Sequence, residues 1–442
     1  MITRVFKLTE ASAKYMGNLP KEDAILVVKS EHKVRQMFID VLEAALYHRA
    51  DTKPAFAEIG AYFKGLVPDP SFGEKIDAEL KALRHYVDEG VVYRPAFETI
   101  RDFVLGKCAR LCAETVHAVV GGTFVDGSEV MVCEEYQGAL RVDWNTSMAR
   151  LRERTSAPGL YVMSSGYGHN PLGFSIRLGR RGEDLMAMTI ASHFGEPAEV
   201  YVLGDKILSI PAMTYEEAAV FCSGEGTFAP AALLPMMKVD LPILVKDLSD
   251  PSRMTVIAAT KPDTERVVTG FVVEEGFALI NVRGTGLVGK VGVSSSIFGA
   301  LARGGVNIRF ISQPSSEFCI TVAVANADLP AAREALSGLY KDGEVSLDDA
   351  VDIVEDVCLL SVCGNGMKKV PGTSGRIYTA LGAHGVNIIS AAQGGDELTI
   401  SFVIRAADRS AAEEALAPVP GYPPLKVLPM PVLPEFEATL IE

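Results

Sequence analysis

The sequence is poor in the residues that build metal centres and disulfide scaffolds. Seven cysteines and seven histidines are scattered over 442 residues, with no paired, closely spaced set of thiolate or imidazole ligands. Zinc needs such sets, so no metal site is expected. The cysteines are odd in number, and Cys108 and Cys112 stand at helical spacing in an apolar stretch. They read as buried, reduced thiols. Cationic residues are in the minority, 42 against 56 acidic ones, for a formal charge of −14. That balance argues against nucleic acid or an anionic membrane surface as a partner. No apolar run is long enough to span a bilayer. Lys7, Glu10, Lys14 and Lys21 interrupt any apolar leader, so a cytoplasmic location is expected.

What the sequence does contain is a second copy of part of itself. Leu279 to Leu336 matches Leu359 to Leu416 without a gap, the signature of a tandem supersecondary unit. Polar residues repeat along with apolar ones. Gly284 recurs as Gly364, Gly292 as Gly372, Asn307 as Asn387, Gln313 as Gln393, Glu317 as Glu397 and Asp328 as Asp408. Apolar matches alone would express a shared core. Retained amides and carboxylates suggest paired ligand sites, and point to sensing before chemistry.

Upstream of the repeats, apolar runs alternate with helical periodicity. Strands are predicted at Ala24–Val28, Glu129–Cys133, Gly159–Met163, Val200–Leu203 and Leu241–Val245. Helices are predicted over Lys33–His48, Phe72–Tyr86 and Asp184–Phe194, and over Ala96–Val120 with an interruption near Gly106. This order predicts an α/β sandwich around a mostly parallel sheet. In the first repeat, a strand at Ala278–Val282 leads through a glycine loop into a helix with Ile297, Ala300 and Leu301 on one face. Gly304 and Gly305 stop that helix. Strands at Val306–Ile311 and Phe318–Val324 follow, and Asp328 is placed to N-cap a helix ending near Leu336. The order βαββα is the start of a ferredoxin-like unit. The polar segment Lys261–Arg266 marks a boundary, and the proline-rich stretch from Pro418 reads as a tail or a final edge strand. The predicted domains are 1–262, 263–345 and 346–430, with a tail at 431–442.

The repeats resemble the two ACT domains of aspartate kinases. The words that carry the resemblance are Gly284-Thr-Gly286, Val306-Asn-Ile308 and Ser312-Gln-Pro-Ser-Ser-Glu317, then Gly364-Asn-Gly366-Met367, Val386-Asn-Ile388 and Ala392-Gln-Gly-Gly-Asp-Glu397. The upstream half resembles the amino-acid-kinase domain of the same family. Val5-Phe-Lys7-Leu-Thr-Glu-Ala-Ser12 stands where that family has Lys-Phe-Gly-Gly-Thr-Ser, and Leu178-Gly-Arg-Arg-Gly-Glu-Asp184 where it has Gly-Arg-Gly-Gly-Ser-Asp. Met213-Thr-Tyr-Glu-Glu-Ala218 and Leu241-Pro-Ile-Leu-Val-Lys246 follow in the expected order. The resemblance implies an amino-acid-kinase-like α/β sandwich with a mostly parallel sheet, followed by two ferredoxin-like (βαββαβ) ACT domains. The repeat glycines then belong to tight loops, since the βαβ context of a dinucleotide fold is missing.

Departures from the family pattern fall on the chemistry. Phosphoryl transfer needs backbone N–H groups close to phosphate oxygens, and cations to take up charge. Thr9 and Glu10 replace the glycine pair that permits that approach. A carboxylate a few ångströms from a phosphate is repelled by about 1 to 4 kcal/mol even at high effective dielectric. Arg181 and Glu183 replace a small residue and a serine, while Gly179, Gly182 and Asp184 remain. The nucleotide-contacting segment after Val202 is shortened. The family's lysine before Val-Leu-His-Pro has no counterpart in Gly226-Thr-Phe-Ala-Pro230. Gly106-Lys107 replaces the Gly-Glu that faces the substrate ammonium. Lys7 and Asp184 are the residual catalytic positions.

In the repeats, the resemblance implies that Asn307, Ile308, Gln313, Asn387, Ile388 and Gln393 line threonine or lysine effector sites. The competing reading is fold maintenance, with Asn serving a turn and Gln tying off a strand edge. Glu317 and Glu397 read as exposed strand starters. Three functions follow: a kinase-deficient regulatory protein that senses an amino acid, an active aspartate kinase, or an assembly scaffold. No cofactor is expected unless the chain is an active kinase, which would use ATP and Mg2+. The expected partners are a free amino acid, a second copy paired through the ACT domains, and a catalytic aspartate kinase or homoserine dehydrogenase of the same pathway. No dehydrogenase-like segment follows Pro418, so no fused second activity is expected.

Overall fold

The computed structural model describes residues 1–48, 51–90, 97–136, 139–178, 182–222, 227–261, 267–283, 289, 291–316, 318–341 and 351–417. The chain forms two compact units that divide between Pro262 and Asp263.

The strands of the first unit are β1 (Ile2–Leu8), β2 (Ala24–Ser30), β3 (Thr123–Val125), β4 (Cys133–Tyr136), β5 (Ala139–Val142), β6 (Leu160–Ser164), β7 (Tyr167–His169), β8 (Ser175–Arg177), β9 (Ala198–Val202), β10 (Ala212–Thr214), β11 (Ile243–Asp247) and β12 (Met254–Ala258). Its helices are α1 (Glu10–Ala13), α2 (His32–His48), α3 (Lys53–Leu66), α4 (Pro70–Gly90), α5 (Phe97–Val120), α6 (Gly127–Val130), α7 (Trp144–Arg154), α8 (Gly182–Phe194), α9 (Tyr215–Phe221) and α10 (Leu233–Val239). Eight strands make one sheet in the order β10-β12-β11-β9-β1-β2-β6-β3. All its pairings are parallel except β11 with β12.

The run Ala24–Val28 is apolar throughout because helices cover both faces of its strand. Leu26 and Val28 point into a core with Phe38 of α2, Ile59 of α3, Ile76 of α4 and Cys112 of α5. Ile25 and Val27 point the other way, against Met186 and Ile190 of α8 and Leu151 of α7. This is the mostly parallel α/β sandwich that the sequence predicts.

Local expectations need three corrections in this unit. Glu129 does not open a strand: Asp126 caps the short helix α6 by accepting from Ser128 N, and the strand begins only at Cys133. Helix α5 runs unbroken through Gly106. There a Cβ would come within 3.0 Å of Ser175 Oγ, so the glycine admits the β7–β8 hairpin and does not break the helix. Helix α7 is too polar for apolar periodicity to reveal, and Asp143 caps it by accepting from Thr146 N.

The second unit holds β13 (Gly270–Arg283), α11 (Val293–Arg303), β14 (Ile308–Ser312), β15 (Cys319–Ala325), α12 (Leu329–Lys341), β16 (Val351–Cys363), α13 (Thr373–Ala383), β17 (Ile388–Gln393), β18 (Thr399–Arg405) and α14 (Arg409–Leu416). Helix α12 continues past Leu336, and Asn326–Asp328 forms a 3-10 turn before it. The six strands make one antiparallel sheet, β14-β15-β13-β16-β18-β17. Each repeat packs its own helices on its own strands, around Ile297 and Leu301 in the first and Ile377 and Leu381 in the second.

The two repeats share their longest strands. The later half of β13 (277–283) pairs with β15, and its leading half pairs with the end of β16, from Gly270 opposite Cys363 to Glu274 opposite Leu359. Conversely, the leading half of β16 pairs with β13, and its end pairs with β18. Each βαββα unit thus takes its fourth strand from its neighbour. Both long strands carry one left-handed residue near the changeover, Gly276 at φ 85° and Asp356 at φ 55°, where the register shifts. On the sheet face away from the helices, Leu279, Phe310, Val357 and Val403 bury one another. The edge strands meet where Ser312 Oγ donates to Ala391 O at 3.3 Å. The proline-rich segment from Pro418 lies outside the described residues.

Candidate functional site

In parallel α/β sheets, ligands are met beyond the carboxyl ends of the strands. Here β1 and β2 place two lysines at that end. Lys7 and Lys29 are opposed in the parallel ladder. By strand alternation they share the face of Val5 and Val27, towards α8. Helix α8 begins at Gly182 and carries Glu183 and Asp184 in its first turn, where carboxylates complement the helix dipole.

The charges at this end are already matched. Lys29 Nζ pairs with Asp184 Oδ1, and Asp184 Oδ2 accepts from Ala229 N at 2.9 Å. The Asp184 side chain is 1% exposed. Arg35 of α2 pairs with Glu183. Burial works against the charged form of Glu183 but is outweighed by the Arg35 guanidinium, so its carboxyl sits below the ordinary carboxylate range. Lys33 reaches Glu10 at 2.8 Å at the surface. Lys7 is exposed and has no acidic partner among the described residues.

The loop after β1 is built as a helix start. Thr9 accepts from Ser12 N at 3.0 Å, and Thr9 N donates to Ser12 Oγ at 2.8 Å, a reciprocal capping box for α1. The backbone at this point therefore serves its own helix. Beyond β9, Asp205 accepts from Ile207 N and from Thr227 Oγ1, which closes the shortened segment onto the loop before α10. Lys107 faces away from an acidic partner and lies over the Phe103 ring, 5.6 Å from its centroid. Gly179, Arg181 and Gly226 lie outside the described residues. The positions Lys29, Arg35 and Lys33 escaped the sequence reading. The signal for Lys29 was present, a lysine closing an apolar strand, but its partner is 155 residues away.

In the second unit, Asn307 and Asn387 are exposed just before β14 and β17, and Gln313 and Gln393 are exposed at the far ends of those strands. Ile308 and Ile388 are half-buried against the cores of their own repeats. At about 3.3 Å per residue, Asn307 and Gln313 stand roughly 20 Å apart, more than one free amino acid spans. Strands β14 and β17 run in opposite directions in the sheet. Their meeting at Ser312 and Ala391 therefore brings Asn307 to the Gln393 end and Asn387 to the Gln313 end. The six residues sort into two groups and do not converge on one pocket. Gly284, Gly286 and Glu317 lie outside the described residues, and Glu397 is exposed. Among the described residues there is no group of metal-ligating side chains and no helix long and apolar enough to cross a membrane.

An eight-stranded, mostly parallel α/β unit followed by paired ferredoxin-like repeats defines an amino-acid-kinase fold with ACT domains. Comparison with known proteins agrees. An ACT domain family model matches residues 280–338 and 360–418. The bifunctional aspartokinase/homoserine dehydrogenase 1 of Arabidopsis thaliana (chloroplastic) is 25% identical over 430 residues, covering 88% of this chain and 46% of its own. Aspartokinase 3 of Bacillus subtilis is 24% identical over 321 residues, covering 69% of this chain and 67% of its own. The crystal structure of Clostridium acetobutylicum aspartate kinase superposes with a TM-score of 0.75 at 17% identity, over 94% of this chain and 99% of that one. Escherichia coli aspartokinase III in complex with lysine and aspartate gives 0.71 at 16% identity, over 94% and 99%. The repeats match the ACT domain family, and the chain is similar to aspartate kinases over most of its length. It spans about half the length of the bifunctional relatives it matches.

Proposed function

We propose that this chain is a kinase-deficient, regulatory member of the aspartate kinase family that senses an amino acid through its ACT pair. The observation that carries this reading is the matched set of ion pairs Lys29–Asp184, Arg35–Glu183 and Lys33–Glu10 at the carboxyl end of the sheet. Cations that would neutralise a triphosphate are committed to carboxylates of the same chain. Among the described residues there Lys7 alone remains, and one ammonium is too little for a charge of that size. The capped loop at Thr9 offers side chains where a phosphate needs bare backbone. The residues present therefore do not fit ATP–Mg2+, and no phosphoryl-transfer step is drawn through them.

The effector contacts in this reading are Asn307, Ile308 and Gln393 at one end of the ACT sheet, and Asn387, Ile388 and Gln313 at the other. Amides can meet both the ammonium and the carboxylate of a free amino acid. An effector preferring one conformation by about 1 to 3 kcal/mol would bias it, and a catalytic aspartate kinase or homoserine dehydrogenase would read the result. A shared sheet favours this over a passive scaffold, since the repeats cannot move as independent bodies. Two measurements test the proposal. Hydroxamate assay with ATP and aspartate should give no turnover above background, and ordinary turnover would overturn the first half. Calorimetric titration with threonine and with lysine should give saturable binding to one of them, and no heat with either would overturn the second.

A further inference from the structure

A cleft of about 450 Å³ lies on the outer side of the β7–β8 hairpin, apart from the paired charges around Asp184. Its walls come from α5, α6, α7, β7 and β8, and include the carboxylates Asp126 and Glu129. Phe103, Lys107 and Arg110 follow one another on one face of α5, Arg150 and Arg154 stand one turn apart on α7, and His169 ends β7. Four cationic side chains thus meet in a chain whose formal charge is −14.

Their hydrogen bonds show which charges are spent. Arg110 Nε donates to Glu114 at 2.9 Å, with Asp126 3.5 Å from its Nη1. Arg154 Nη1 pairs with Glu129 at 3.1 Å. Arg150 is different, because its close partner is His169 Nε2 at 3.0 Å. The other ring nitrogen lies 2.6 Å from Ser128 O. A carbonyl oxygen can only accept, so the proton sits on Nδ1 and Nε2 accepts from Arg150. The imidazole is then neutral and cancels no charge. Among the described residues Lys107 meets only the Phe103 ring. Lys107 and Arg150 are therefore two uncompensated cations, held on different elements and facing one concave space.

We infer that this cleft binds a small organic dianion, a phosphate ester or a dicarboxylate, with Lys107 and Arg150 taking its two negative charges. The inference stands whether or not the regulatory reading holds, because it uses none of the residues at Asp184 or in the ACT pair. The test is calorimetric titration of the full chain with glycerol 3-phosphate and, separately, succinate at low salt. One saturable site is expected with at least one probe, and the probe that binds identifies the anion class. Aspartate, which adds an ammonium next to Lys107, should bind more weakly than succinate if the dicarboxylate is favoured. Lys107→Gln with Arg150→Gln should weaken binding about tenfold or more, the scale of one charge-assisted contact. Arg150 is exposed and Lys107 half-buried, so the melting curve should hold, and if it shifts, each single variant gives the same readout. Arg333→Gln, at a surface cation of the second unit, should leave the affinity unchanged. Absence of saturable binding with both probes, or equal affinity in the wild type and the Lys107/Arg150 variants, would overturn the inference.

Discussion

Lys7 and Lys29 sit side by side in the ladder between β1 and β2, yet among the described residues only Lys29 pairs with a carboxylate, that of Asp184. The same two strand ends could have offered two ammonium groups to a ligand. The second is turned inward instead, onto the carboxylate in the first turn of α8.

That pair should be costly to break. Lys29→Met takes the paired ammonium from the buried Asp184 carboxylate, which still accepts from Ala229 N, and loss of one partner of a buried ion pair costs about 3–5 kcal/mol. Lys29→Met with Asp184→Leu removes both charges and should recover most of that loss. Urea unfolding of the three proteins measures it, and equal stability of the two variants would show that the charge itself is not the source.

Acid should act through Glu183. Its carboxyl is held low by Arg35 against the opposing effect of burial, so its contribution is present above the unfolded value, about 4.3, and is lost as pH falls through the native one. Glu199 is held low in the same way, its burial outweighed by Lys246, Tyr201 and Arg4, so the whole acid limb carries both groups. The difference between wild type and Arg35→Gln isolates Glu183. It should be constant from neutral pH down to about pH 5 and shrink below that. A difference independent of pH to the end of the acid limb would assign the loss to packing.

Replacement of Thr9 and Glu10 by glycine should cost stability and yield no nucleotide affinity. The capping box is worth about 1 kcal/mol, while Lys29, Arg35 and Lys33 keep or lose their partners without gaining a phosphate site. Fluorescent-nucleotide titration of the double variant checks this. Tight binding would show that the two side chains alone close the site.

Gly364→Ala should loosen the shared sheet. A Cβ there would lie 2.4 Å from Val267 O and 2.8 Å from Thr269 N, both backbone atoms that cannot swing aside. Overpacking of this kind costs about 1–3 kcal/mol. Hydrogen exchange should report it at Thr269, whose N–H donates to Cys363 O at 2.8 Å, and in the leading half of β13. Unchanged protection there would mean that the strand exchange tolerates the methyl group.

Much of this architecture was legible because it is local or periodic. The repeat was visible at Asn307 and Asn387 and at Gln313 and Gln393. Ala24–Val28 declared a strand buried on both faces. What escaped depended on distant partners. Nothing near Gly106 announces the hairpin that packs against it, and Asp126 looks no more like a cap than other aspartates. The pairs Lys29–Asp184 and Arg35–Glu183 join residues about 150 positions apart. Sequence reasoning could notice that Glu183 stood where a serine belongs, but not that an arginine on α2 was waiting for it.

The exchange of strand halves between β13 and β16 makes each repeat incomplete by itself. A fragment holding only 351–417 would present the end of β16 with its backbone donors and acceptors bare, beside an apolar face meant for Phe271 and Val273. Such an edge recruits whatever strand it can find, including that of another molecule. Cutting the duplication into its halves would therefore produce self-associating fragments, and the pair can be inherited, expressed or transplanted only as one piece.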